Sequence, residues 1–236
     1  MACSDAAAEI RQDNHAARLA QLLFVEKLPY YWTWLPMKLG YDTYDEGLAV
    51  FSRRLITAVD AYRISSSDSY KYWKTRWMLG IQTDEPEQGW FYTVHMGWWN
   101  DEEEPFAGQW VRLEEHLRTT GASDGQIWLM GDFNSRDDVR DEGYDLICRS
   151  GWKDTWQLAV TKDDGITAGT DIDGWRDQSA EPAGTDRKNA RRNGMRIDYI
   201  WSNRPAAIES SRVVCDGTTY PVVSDHCGVL IQTKQQ

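Results

Sequence analysis

The chain of 236 residues lacks several things, and each absence removes a class of protein. It has no run of roughly 18 apolar residues, so no membrane span is expected. Residues 1–20 carry Asp5, Glu9, Arg11 and Asp13 where a signal peptide has its apolar core, so none is expected. Cysteine is scarce: Cys3, Cys148, Cys215 and Cys227 show no CxxC spacing and sit in unrelated contexts. They read as buried free thiols rather than disulfide partners, which fits the cytoplasm. With no Cys/His cluster, zinc is disfavoured. No G-x-S-x-G segment is present, which weakens serine-nucleophile chemistry. Basic residues are the minority, 26 against 37 acids, and the net charge of −11 repels duplex DNA at long range. No internal repeat or dividing linker is visible, so residues 1–236 are expected to form one domain of mixed strands and helices.

Tryptophan is abundant, with thirteen residues. Many must fill the core. Trp98-Trp99, followed by Asn100-Asp101, reads either as core packing or as a cleft wall. Residues 5–27 have a helical stripe of Ile10, Ala17, Ala20 and Phe24, closed by Pro29. The aromatic run Tyr30-Tyr31-Trp32-Thr33-Trp34 suits a strand, and 36–46 a polar connection. Strands are expected at 47–52, from 55, at 76–81, at 90–96 and at 195–201, with a last one after the loop that begins at Pro221. A helix opens at Pro105 with the stripe Phe106, Trp110, Leu113, Leu117, and the acids Glu102, Glu103 and Glu104 sit at its positive end. Another is expected from about Arg136 to Arg149, and a short strand within 151–159. Residues 162–194 are rich in Gly and Asp and show no period.

The chemistry gathers in a few places. Ile127-Trp128-Leu129-Met130 is a buried strand that delivers Gly131-Asp132-Phe133-Asn134 into a loop. An Asp there can hold a hard cation or take a proton, and an Asn two residues on can donate to an oxyanion. The same four residues equally suit an Asx turn. Of four histidines, His15 and His116 read as solvated helix residues, whereas His95 and His226 lie at strand edges. Asp225 precedes His226, and an acid-held imidazole is a general-base arrangement. Asp198 is a lone carboxylate inside an apolar strand, so His226, a cation or an arginine must pair with it. Acids with an amide favour Mg²⁺ or Mn²⁺, and with a His base they suit attack of water on a phosphate ester.

Together, Gly-Asp-Phe-Asn at 131–134, Arg-Ile-Asp-Tyr-Ile at 196–200 and Ser-Asp-His at 224–226 resemble the endonuclease/exonuclease/phosphatase superfamily, the DNase I-like fold. Thr93-Val94-His95 and the segment 45–52 fit the strands that precede those motifs. The resemblance implies an α+β sandwich of two mixed sheets flanked by helices, and Mg²⁺-dependent phosphoester hydrolysis. It implies His226 as base, Asp198 as its orienting acid, Asp132 as a water-positioning acid at the metal, Asn134 on the phosphate and Asp225 at the metal. His95, held by Glu46, would meet the phosphate or leaving group. The family also opens with an Asn-bearing strand and a Gln-Glu strand whose Glu binds the metal. Neither is present, so the first strands, about forty residues, are expected to be missing and activity impaired. The segments 96–106 and 172–176 resemble a bacterial subgroup that includes maltose 6′-phosphate phosphatase. That subgroup implies a phosphorylated sugar as substrate, with Trp98, Trp99 and Trp175 as candidate sugar contacts; Arg176 and Arg53 are candidates for phosphate contacts. A nuclease or phosphodiesterase of the same fold, and a non-catalytic remnant, are the alternatives.

Overall fold

Alternating aromatic and β-branched stretches build most of the regular structure, and helices cover only a few segments. The computed structural model describes residues 10–169 and 194–234. Two compact units divide the chain at Leu129/Met130. No helix among the described residues is long and apolar enough to cross a membrane.

The first unit begins with helix α1 (His15–Val25), N-capped by Asn14, whose side chain accepts from the Ala17 N–H at 3.0 Å. Of the expected 5–27, residues 5–9 lie outside the described residues and 10–14 are not helical, and the expected stripe is not the buried face. Only Ala16 is buried, while Ile10 and Phe24 are 47% and 74% exposed. Strands β1 (Tyr31–Gly40) and β2 (Tyr44–Ser52) then form an antiparallel hairpin. Pairing therefore runs through the segment expected to be a connection. A register shift between Pro36 and Lys38 absorbs the proline, which has no N–H to give the ladder. One face of the hairpin, with Leu35, Met37, Leu48 and Val50, packs against Leu79 and Trp77.

Strands β3 (Ile56–Arg63), β4 (Trp77–Thr83) and β5 (Trp90–His95) are antiparallel neighbours in that order. Gly80 is where the Tyr92 ring crosses the sheet: a Cβ there would lie 2.2 Å from it. Helix α2 (Phe106–Thr119) buries Phe106, Trp110, Leu113 and Leu117, the expected stripe. Glu104 is not a surface acid at the helix dipole. It is 3% exposed and accepts from the backbone N–H groups of Ser66 and Ser67 at 2.9 and 2.8 Å, with Arg112 beside it at 3.3 Å.

Strand β6 (Ile127–Asp132) crosses from the first unit into the second and carries regular structure into the Gly-Asp-Phe-Asn motif. The second unit continues with α3 (Gly143–Arg149), β7 (Lys153–Asp154), α4 (Thr155–Leu158) and β8 (Thr161–Lys162). Strands β9 (Asp198–Ser202), β10 (Ile208–Val214) and β11 (Gly228–Thr233) complete it. Antiparallel pairs are β7–β9 and β10–β11, and β8 runs parallel to β10. Helix α3 starts later than expected because 136–142 is turn: Arg136 pairs locally with Asp138, and Asp141 has φ 63°. The core here is aromatic. Phe133 meets Tyr199 and Trp201 edge-on at 5.8 and 6.2 Å, and Tyr144 leans on both. Cys148, Cys215 and Cys227 are free thiols, but none is fully buried: Cys148 is exposed at the end of α3, and Cys215 and Cys227 are half-buried. Cys3 lies outside the described residues.

Candidate active site

The second unit brings three of the expected residues together, and the reason is visible in the backbone. Phe133 is fully buried, and its N–H donates to the Ile197 carbonyl at 2.9 Å. That bond ties the end of β6 to the entry of β9. Asp132 and Asp198 flank it in sequence, so one buried ring fixes two carboxylates. Asp132 then closes a tight turn, accepting from the Asn134 N–H at 2.7 Å. Asn134 has φ 46°, a left-handed conformation that Asn adopts more readily than most residues, and is 7% exposed. The Asx turn is thus present at 131–134, and it carries both candidate residues, Asp132 and Asn134.

His226 arrives from the other side. Its Nδ1 donates to Asp198 Oδ2 at 2.9 Å. A carboxylate only accepts, so the bond places the ring proton on Nδ1 and leaves Nε2 as the basic nitrogen. Asp132, Asp198 and His226 each offer an atom within 4.8 Å of the others. The hydrogen bond that Asp198 accepts raises the imidazole from its ordinary 6.5 to about 9. Burial opposes this, and the charges of Asp198, Asp132 and Asp225 add to it.

A residue that sequence reasoning passed over holds the pair in place. Thr167 is 1% exposed, and its Oγ1 accepts from the N–H groups of Ile197 and Asp198 at 3.3 and 3.2 Å. Its carbonyl accepts from the Cys227 N–H at 2.7 Å. Ala168 bridges both Met195 and His226. This short clasp lies inside the Gly- and Asp-rich stretch that shows no period, so only the fold reveals it. Arg196 was also missed as an individual residue. Its guanidinium is 4% exposed, paired with Asp154 at 2.7 Å and Asp137 at 2.9 Å, and it lies 4.7 and 4.8 Å from the rings of Trp156 and Tyr199. It anchors the start of β9 two residues from Asp198.

The remaining expected residues are placed differently. Asp225 is exposed, accepts from Ser224 Oγ at 3.0 Å and stands outside the group of three. In the first unit, His95 Nδ1 lies 3.7 Å from Glu46 Oε1, and Glu46 also pairs with Lys38 at 3.1 Å. Burial, with Arg76 nearby, pulls the Lys38 ammonium below its ordinary range. Trp98 and Trp99 are half-buried, and the Trp99 ring lies 6.2 Å from Phe106 on α2. The neighbouring acids Asp101 and Glu103 are both held by Lys74, at 2.8 and 2.6 Å. Arg53 Nε donates to the Tyr30 hydroxyl at 3.0 Å. Trp175 and Arg176 lie outside the described residues. His15 is exposed, as expected. His116 is not solvated: its side chain is 13% exposed, bonded to Asp60 at 2.8 Å and stacked on Tyr62 at 4.0 Å.

In its neutral form, which the neighbouring acids disfavour, His226 can take a proton from water at Nε2 while Asp198 steadies the resulting imidazolium. That chemistry agrees with the sequence comparison, in which residues 8–226 match the model of the Endonuclease/Exonuclease/phosphatase family. The chain belongs to this family. Its members are phosphoester hydrolases, phosphatases and nucleases, and generally use a divalent metal. The fold is α+β, with mixed sheets and flanking helices in the DNase I-like manner. A family protein from Leptotrichia buccalis is similar in structure, with TM-score 0.78, 26% identity, and coverage of 97% of this chain and 80% of that one. The mannosyl-6-phosphatase Bt3783 of Bacteroides thetaiotaomicron gives TM-score 0.61 at 16% identity, covering 92% of this chain and 82% of that one. A 3′ phosphatase, NExo, from Neisseria, bound to a product DNA hairpin, gives 0.64 at 16%, covering 96% and 86%. No curated protein matches the chain.

Proposed function

We propose that the chain is a divalent-metal-dependent phosphatase acting on a phosphorylated sugar. The observation that carries the hydrolytic part is the His226 Nδ1 to Asp198 Oδ2 bond at 2.9 Å with Asp132 beside it. The donor set fits a hard cation: Asp132 and Asp198 offer carboxylate oxygens of the kind Mg²⁺ and Mn²⁺ take within 4.8 Å of one another, His226 is committed through Nδ1 to Asp198, and Asp225, next to His226 in sequence but outside that group, is the further candidate ligand. A bound cation would offset negative charge on the phosphoryl oxygens. His226 takes the proton of the attacking water through Nε2, Asp198 keeps the ring in that tautomer, and Asp132 positions the water. Asn134 donates its amide to a phosphoryl oxygen. The net charge of −11 supports a small ester over a nucleic acid polyanion.

Hydrolysis of p-nitrophenyl phosphate, glucose 6-phosphate and plasmid DNA with Mg²⁺ tests this. Phosphate release from the sugar ester is the expected result. Plasmid nicking without sugar-phosphate turnover overturns the substrate assignment in favour of a nuclease, the reading to which the DNA-bound Neisseria neighbour lends support.

A further inference from the structure

The aromatic run at 30–34 takes no part in the chemistry above, and the hairpin shows where it goes. Side chains alternate across a strand, so Leu35 and Met37 turn to the core with Leu48 and Val50. Trp32 and Trp34 on β1, with Gly47, Ala49 and Phe51 on β2, belong to the opposite face by the same alternation. The register pairs Trp32 with Phe51 and Trp34 with Ala49. The Trp32 and Phe51 rings stack, with centroids 6.0 Å apart and planes at 12°. Gly47 makes room for the next ring: a Cβ there would stand 2.8 Å from Trp34 Nε1, so the indole lies down over the glycine. These rings are half-buried at most.

A groove of about 440 Å³ opens between this face and the start of α1, within the range of roughly 300–1,000 Å³ typical of small-ligand sites. Its floor is small residues, Gly47 and Ala49, its walls include Trp34 and Phe51, and its rim includes Arg11 and Asp13. The charge on that rim selects the ligand. Arg11 is ion-paired with Asp45 at 3.0 Å, and Asp45 also accepts from the Tyr70 hydroxyl at 2.6 Å. Asp13 adds a further negative charge, so the rim gives a phosphate or carboxylate no unmatched positive charge. Flat apolar faces bordered by carboxylate, amide and guanidinium groups instead match a sugar, whose C–H face is apolar and whose edge is a ring of hydroxyls.

We propose that the outer face of the β1–β2 hairpin is a binding site for a neutral saccharide, whose rings lie on Trp34 and the Trp32–Phe51 stack and whose hydroxyls bond to Arg11 and Asp13. Glu46, on the same strand as Gly47, points by alternation to the other face, so this groove is separate from the Glu46–His95 pair. The site stands independently of the phosphatase reading.

Saturation-transfer NMR on the full chain, with maltose and with cellobiose as probes, tests it. The expected result is transfer to the C–H protons of at least one disaccharide, its loss in Trp34→Ala and Arg11→Ala, and its retention in His226→Ala. Circular dichroism checks the fold of each variant. If Trp34→Ala fails to fold, Arg11→Ala and Phe51→Leu decide, since Arg11 is mostly exposed. No transfer to either sugar overturns the proposal, as does transfer that survives the groove variants or disappears only in His226→Ala. Hydrolysis of p-nitrophenyl phosphate is expected to be unchanged in Arg11→Ala, so failure here and failure of the phosphatase reading are separable.

Discussion

His226 and His116 are each held by an aspartate at nearly the same distance, 2.9 and 2.8 Å, in surroundings that differ. Asp60 shares one oxygen between His116 and the Tyr92 hydroxyl, and the Tyr62 ring covers the imidazole at 4.0 Å and 14°. That pair is closed by a second donor to Asp60 and an aromatic stack. Around His226 stand acids instead, Asp132 and Asp225 in addition to its partner, and together they lift its proton affinity to about 9. A His–Asp pair alone therefore says little about chemistry. Its neighbours decide whether it holds a fold together or moves a proton.

The sharpest way to break this contrast is to remove charge from each aspartate. Asp198→Asn is expected to lower kcat for p-nitrophenyl phosphate by about 10²–10⁴-fold, the usual contribution of a positioned general base. Asp60→Asn is expected to leave kcat at the wild-type value. Equal losses in steady-state assays would erase the distinction. Stability should show the reverse order. His116→Ala leaves the half-buried Asp60 short of a donor and removes a ring stack, so it is expected to cost about 1–3 kcal/mol in urea denaturation, and more than His226→Ala once the pH is high enough for His226 to be neutral.

The pH dependence of the metal-free protein sharpens the contrast further. The folded imidazole of His226 titrates at about 9, above its ordinary 6.5, so its protonated form stabilises the fold. That contribution is full below 6.5 and disappears as pH rises through about 9. The stability gap between wild type and His226→Ala, measured in a chelator, should shrink across that window. A gap that stays constant contradicts the assignment.

Much of the candidate site was legible because its motifs are local. Asp132, Asn134, Asp198 and His226 each stand beside a strand whose apolar pattern is plain. What was not legible is non-local or breaks a propensity rule. The β1–β2 turn runs through Tyr41 and Asp42 at φ 48° and 54° without the Asn-Gly signal of such turns. Pairing beyond Pro36 was hidden for the same reason. His116 looked solvated because its partner Asp60 is 56 residues away. The Thr167 clasp acts through backbone bonds to Ile197, Asp198 and Cys227, which no side-chain pattern announces. The α1 stripe failed in the opposite sense: helical periodicity identified a helix, but the structure leaves most of its apolar residues exposed.

The central claim is that His226, oriented by Asp198, is the base for phosphoester hydrolysis. The measurement that tests it most directly is kcat for p-nitrophenyl phosphate with Mg²⁺ in wild type and His226→Ala, with His116→Ala as the control for a lost histidine. The account predicts a fall of about 10²–10⁴-fold in His226→Ala and wild-type turnover in His116→Ala. Wild-type turnover by a folded His226→Ala protein would contradict it.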